Sequence, residues 1–361
     1  MISFELTEEQ RVAQATIGEF ARTELRPVAQ AIDREAQIGT ATLAALWSTE
    51  IIQAQAADDT AGGRSPVMNA LLLEELASAD ATLALAMAAS MAFVQAVADQ
   101  GSAAQRGALL PLFSGGAFQA AAVLLMEPGF RFDVTRLAAR AERAGTDYVL
   151  RGSKSLVPLA ADCSHFLVIA AGDGAPDAFI VPREAAGVIV GEAPGTLGLR
   201  GLRLANVSFH DVKVPADMRL GDHNGCDVQR LIDSARTGIA AILTGMSRGI
   251  LDYCVPYTKE RVVHGTPLAR KQVIAFRLAD MHIEIEAMRW MTWRAAWELE
   301  TGRKATRSAQ LAYTYAAEQA VSIADEAVQA FGGHGFVRAH PIEMWYRNAR
   351  SLSLLEGIAG V

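Results

Sequence analysis

QAFGGHGF, residues 329–336, sets two adjacent glycines and a third close by around a histidine. Such a run can cradle a phosphate or end a helix, and its neighbours decide which. A dinucleotide-binding glycine loop follows a strand and opens a helix, so that amide N–H groups and the positive helix end face the pyrophosphate. Here the order is reversed. Residues 306–331 are alanine-rich and hold no proline or glycine, so the glycines from Gly332 onward close a helix as its C-cap.

Outward from that helix the chain divides into three blocks. Residues 1–118 read as helical: TEEQ at Thr7–Gln10 is a capping box, and apolar residues recur at helical spacing through EQRVAQATIGEFARTEL. Residues 119–225 hold short runs such as AAAVLLM, YVLRGSK, HFLVIAA, AFIVP and LANVSFHDVKVP. Gly, Pro and Asp separate them, the pattern of antiparallel β-structure. Residues 226–361 return to long helical stretches, roughly 227–260, 268–300, 306–331 and 341–350. Helices, strands, helices is the order of an α+β protein, and it weakens the dinucleotide-fold reading further.

Composition excludes several classes. At 361 residues and 51% hydrophobic the chain can bury a large core. Net charge is −7, with 33 Lys+Arg against 40 Asp+Glu and no basic run, which disfavours a nucleic-acid surface. Cys163, Cys226 and Cys254 are far apart and odd in number, unlike a zinc site and suited to a reducing compartment. The acidic start MISFELTEEQ lacks an apolar signal core, so a cytoplasmic protein is expected. Residues 81–98 are uncharged and approach the length of a membrane span. Alanine dominates them, and Asp80 and Asp99 flank them without Lys or Arg, so a buried central helix is expected.

Four stretches together resemble the acyl-CoA dehydrogenase family: MEPGFRFD (126–133), GLRGLRLANVSFHDVKVP (198–215), KERVVHGTPLARKQVIAFRLADM (259–281) and QAFGGHGFVRAHPIEMWYRNARSLSLLEG (329–357). The resemblance covers nearly the whole chain. It implies an N-terminal helical domain, a middle antiparallel barrel-like β-domain and a C-terminal four-helix bundle. It further implies a tetramer of identical or related chains in which FAD spans a subunit interface. The activity implied is α,β-dehydrogenation of an acyl-CoA to the trans-2-enoyl-CoA, with electron-transfer flavoprotein or a similar acceptor taking the electrons.

The resemblance also assigns roles to residues. Glycine suits both a helix cap and a close approach to a diphosphate, so Gln329, Gly332 and Gly333 are expected against a neighbouring subunit's FAD. Arg261 is expected on that diphosphate, where a guanidinium fork binds two oxygens. Gln272 matches a glutamine near the cofactor, and His264 stands where the family usually has phenylalanine. Glu356 matches the catalytic glutamate that removes the α-proton, and the leucines of LSLLEG predict a desolvated carboxylate. LIDSARTG, where other branches carry the base, has no glutamate; its Asp233 and Arg236 match positions at the CoA end of the substrate.

Departures from the family pattern cluster in the β-domain. Met126 replaces a threonine, Phe130, Arg131 and Phe132 replace small residues, and Leu156, Val157 and Pro158 replace an aromatic-Ile-Thr/Ser run beside the flavin. Proline offers neither hydroxyl nor N–H. Two readings stay open: a dehydrogenase with an unusual flavin pocket, or a non-catalytic subunit that completes a partner's FAD site in an α2β2 assembly.

Overall fold

A computed structural model describes residues 5–57, 64–129, 132–172 and 174–361. Phe130 and Arg131 lie outside the described residues.

The first block is helical: α1 (Glu8–Phe20), α2 (Ala29–Glu35), α3 (Thr40–Trp47), α4 (Ile51–Ala56), α5 (Pro66–Ala79), α6 (Ala81–Gln100) and α7 (Ala103–Leu109). Side-chain caps start several of them. Thr7 and Gln10 form the expected capping box on α1, Ser65 and Pro66 open α5, and Asp80 caps α6 by accepting from the Leu83 amide at 2.9 Å. α6 is long and apolar enough to cross a membrane, yet its apolar stretch is wholly buried in the fold. An all-round apolar helix is stable in water only at the centre of a protein.

The second block is one curled sheet: β1 (Ala120–Leu124), β2 (Arg140–Ala144), β3 (Asp147–Val157), β4 (Cys163–Ala171), β5 (Pro176–Pro182), β6 (Val188–Val190) and β7 (Ala205–Val214). Strand order is β1-β4-β2-β3-β7-β6, with β5 also paired to β4. The expected antiparallel pairing holds for β2–β3, β3–β7, β4–β5 and β6–β7. β1 runs parallel to β4, so the sheet is mixed. Parallel pairing needs a long connection, and the 38 residues between these two strands supply one by way of β2 and β3.

The third block holds α8 (Val228–Glu260), a small hairpin of β8 (Val262–Val263) and β9 (Thr266–Pro267), α9 (Gln272–Glu300), α10 (Thr306–Phe331) and α11 (Ile342–Leu352). α8 and α10 run parallel: Thr306 meets Asp233 at one end, and Phe331 stacks on Tyr257 at the other. α9 runs back between those ends, and its last turn offers the Leu299 carbonyl to Arg230. α10 stops where expected, because Gly332 takes φ +56, a conformation costly to residues with a Cβ.

Candidate active site

Glu356 lies just beyond α11, where all three blocks meet. Its Oε1 accepts from Arg236 Nε at 2.6 Å, its amide faces Met126 Sδ at 3.2 Å, and Tyr313 of α10 donates to the neighbouring Leu355 carbonyl at 3.1 Å. Of the leucines in LSLLEG, Leu352 and Leu355 are buried and Leu354 is 67% exposed, and the guanidinium of Arg236 pairs with the carboxylate. Side-chain exposures of 10% for Arg236 and 17% for Glu356 place the pair below the surface but within reach of a ligand. Burial, and then the negative charge of Glu356, push the Tyr313 hydroxyl up to about 12, so it stays a proton donor to the backbone.

Met126 is held in place by a pair that residue types alone do not reveal. Lys154 is fully buried; its Nζ donates to the Leu125 carbonyl at 3.1 Å and to Glu127 Oε1 at 2.8 Å. Glu127 also accepts from the amides of Ala138 and Ala139, which compensates its charge on every side. Burial lowers the lysine's pKa, and the glutamate opposes that shift. The signal was present in the strand: Lys154 shares the inward parity of Tyr148 and Leu150 along β3.

Pro158 follows β3, with Leu156 at φ +56 before it and Leu159 at φ +50 after it. Two branched residues in the left-handed region store strain, which folds concentrate at ligand sites. Phe132 is half-buried against the core.

A second cluster lies at the far end of α8. Arg261, Gln272, Gln329, Gly332 and Gly333 converge there, because the ends of α8 and α10 and the start of α9 meet, and all five are exposed. A Cβ on either glycine would meet nothing within 4 Å, so the backbone is open to a ligand. The N-terminus of α9 adds the positive end of a 29-residue helix. His264 caps the β8–β9 turn at φ +51, exposed on the same rim. Beside it Tyr257 stacks on Phe331 at 3.7 Å and shares a hydrogen bond with His334 at 2.8 Å. These features fit the diphosphate and amide contacts a dinucleotide needs.

The two clusters do not meet within one chain. Along α8 the rise from Arg236 to Arg261 is about 38 Å, too far for both to hold one cofactor molecule. Asp233 is buried and bonded to Gln229 at 2.7 Å and Thr306 at 2.8 Å, tying α8 to α10.

Family models match in the same order as the blocks: acyl-CoA dehydrogenase N-terminal domain over residues 7–117, middle domain over 122–212 and C-terminal domain over 226–361. The human mitochondrial short-chain specific acyl-CoA dehydrogenase is 30% identical over 99% of this chain and 89% of its own length. A probable acyl-CoA dehydrogenase of Bacillus subtilis is 29% identical, covering 100% of this chain and 97% of its own. The solved butyryl-CoA dehydrogenase of Megasphaera elsdenii superposes with a TM-score of 0.88 at 28% identity, over 98% of this chain and 95% of that one. The chain therefore belongs to the acyl-CoA dehydrogenase family of FAD-dependent oxidoreductases.

Proposed function

We propose that this chain converts an acyl-CoA thioester to the trans-2-enoyl-CoA with Glu356 as the base. The observation that carries the reading is Glu356 itself, whose carboxylate is ion-paired to Arg236 and whose amide lies against Met126 Sδ. Bound FAD supplies the acceptor for the hydride that leaves the β-carbon. Glu356 takes the proton from the α-carbon, Arg236 holds the carboxylate in its reactive direction, and Tyr313 anchors the backbone behind it. The buried Lys154–Glu127 pair fixes the strand end that carries Met126 toward the flavin.

The split between the clusters supports a FAD site shared across a subunit interface. One chain offers Met126, Pro158 and Glu356; its neighbour offers Arg261, His264, Gln272, Gln329, Gly332 and Gly333. Asp233 keeps a structural place within the bundle. Val273, Phe276 and Ile283 along α9 are 64%, 61% and 60% exposed, an apolar row that suits a second chain and supports a tetramer. Electron-transfer flavoprotein is the acceptor this reading implies.

A second reading, a subunit that only completes a partner's FAD site, is favoured by the bulk of Met126 against the Glu356 amide. Purification of the chain alone separates the two. Flavin absorbance that bleaches on adding butyryl-CoA under anaerobic conditions supports the dehydrogenase. Flavin gained only on co-expression with a related chain supports the partner subunit, and no flavin under any condition removes both.

A further inference from the structure

We infer that His334 and His340 form a proton-operated clasp, which holds the turn Gly332–Phe336 folded against α8 near neutral pH and releases it in acid. That a released turn lets go of cofactor rests on the reading of Gly332 and Gly333 as part of the FAD site; the clasp itself does not. Both histidines sit on the chain that leaves α10, and each reaches across to α8. His334 Nδ1 lies 2.8 Å from the Tyr257 hydroxyl, and His340 Nδ1 lies 2.9 Å from the Tyr253 hydroxyl. The two tyrosines are one turn apart on α8, and Phe331 stacks on both, at 3.7 Å from Tyr257 and 5.7 Å from Tyr253. His340 stands steeply to that stack, 5.1 Å from Phe331, 5.6 Å from Tyr257 and 6.0 Å from Tyr253. Its ring is nearly parallel to that of His334, 5.8 Å away. The turn is also tight against α10, since a Cβ on Gly335 would stand 2.9 Å from the Val328 carbonyl oxygen.

Protonation works against every one of these contacts. A neutral imidazole with its proton on Nε2 accepts the phenolic proton at Nδ1, whereas an imidazolium carries N–H at both nitrogens and forces each tyrosine to turn its own proton away. Burial holds the Tyr253 and Tyr257 phenols above their ordinary value, so both keep that proton. Two imidazoliums would also face each other at 5.8 Å. The surrounding charges add to the repulsion. Arg261 acts on Tyr257, Arg26 acts on Tyr253, and Arg338 lies in the same segment as the histidines. The carboxylates of the packed elements are committed elsewhere: Asp80 and Asp252 act on Arg26, Glu326 of α10 pairs with Arg277, and Glu343 of α11 pairs with Arg347. Burial, and then His334, hold His340 below the ordinary histidine value. The closed turn therefore binds this proton more weakly than the released one. Its stability is whole above about pH 6.5 and is lost as pH falls below that.

The test is hydrogen–deuterium exchange of the oligomer as purified, corrected for the intrinsic pH dependence of exchange, with released flavin read by fluorescence in the same samples. Between about pH 7.5 and about pH 5.5, wild type is expected to lose at least about tenfold protection over residues 332–340 relative to α10, and to release FAD. His334→Gln combined with His340→Gln keeps an acceptor for each tyrosine but takes no proton, and its protection is expected to change less than about threefold. Tyr253→Phe combined with Tyr257→Phe keeps the ring stack and deletes both bonds. That variant is expected to expose the turn already at about pH 7.5, and it carries the test where the glutamine pair fails to fold. Unchanged protection in wild type across the window, or the same loss in the glutamine variant, overturns the clasp. Loss of protection without added FAD release upholds the clasp and removes the cofactor role of Gly332 and Gly333 instead.

Discussion

Arg236 Nε donates to Glu356 Oε1 at 2.6 Å, so the carboxylate offered as a base is held by a cation delivered from 120 positions earlier in the chain. The ion pair fixes the direction of the carboxylate. Both side chains are largely buried, and each is the other's compensation.

Glu356→Gln keeps an acceptor for Arg236 but removes the proton acceptor. Flavin reduction by acyl-CoA, followed anaerobically by stopped flow, is expected to slow by at least about two to three orders of magnitude with FAD content unchanged. Arg236→Ala leaves the carboxylate without its partner and is expected to cost about 3 kcal/mol of stability in urea unfolding. A reduction rate equal to wild type in Glu356→Gln would place the base elsewhere.

Much of this arrangement was legible in the residues, and the exceptions have physical reasons. Long stretches without breakers declare themselves, so α8 and α10 begin and end within a residue of where spacing and Gly332 put them. β2 did not: Ala141 is its one buried residue, so it shows no apolar alternation. The parallel β1–β4 pairing is a tertiary choice that neither strand encodes locally. At the site, motif position singled out Glu356, but the direction of Leu354 and the arrival of Arg236 depend on how α11 packs on α8. Asp233 likewise matches a substrate position in type, and its bond to Thr306 is legible only in the fold.

Asp80 predicts a pH dependence of stability. Burial, despite the amide bond from Leu83, raises its carboxyl to about 6, from an unfolded value of about 3.9. Between those values the folded state binds the proton and the unfolded state does not, so this group's contribution to stability falls as pH rises through the window. Asp80→Asn retains an N-cap acceptor without the charge. The variant is expected to match wild type near pH 4 and to exceed it by at most about 3 kcal/mol above pH 6, read from urea midpoints. A difference that stays constant across the window would show that the carboxyl is ionised throughout.

Lys154→Met tests the pair beneath Met126. It strands Glu127 as a buried charge, and a loss of about 3–5 kcal/mol in denaturant unfolding is expected. Adding Glu127→Gln to the same chain should recover part of that loss, because the uncompensated charge goes. Additive penalties in the double variant would mean that the two side chains stabilise the fold independently.

The separation of Arg261 from Glu356 yields the sharpest test of the proposed interface, in which each FAD site would draw one residue from each of two chains. Arg261→Ala alone is expected to lower FAD affinity by about one to two decades, the scale of a charge-assisted bond to the diphosphate. Glu356→Gln alone is expected to retain FAD without turnover. In a hybrid pair, one site combines both defects, but the other takes Glu356 from the Arg261→Ala chain and Arg261 from the Glu356→Gln chain, and is intact. Unfolding and refolding an equal mixture of the two variants, with random pairing, should therefore restore about a quarter of wild-type active sites. Activity of the mixture no greater than the sum of the separately refolded variants would mean that both residues serve the same chain's cofactor, and the interface assignment would fall.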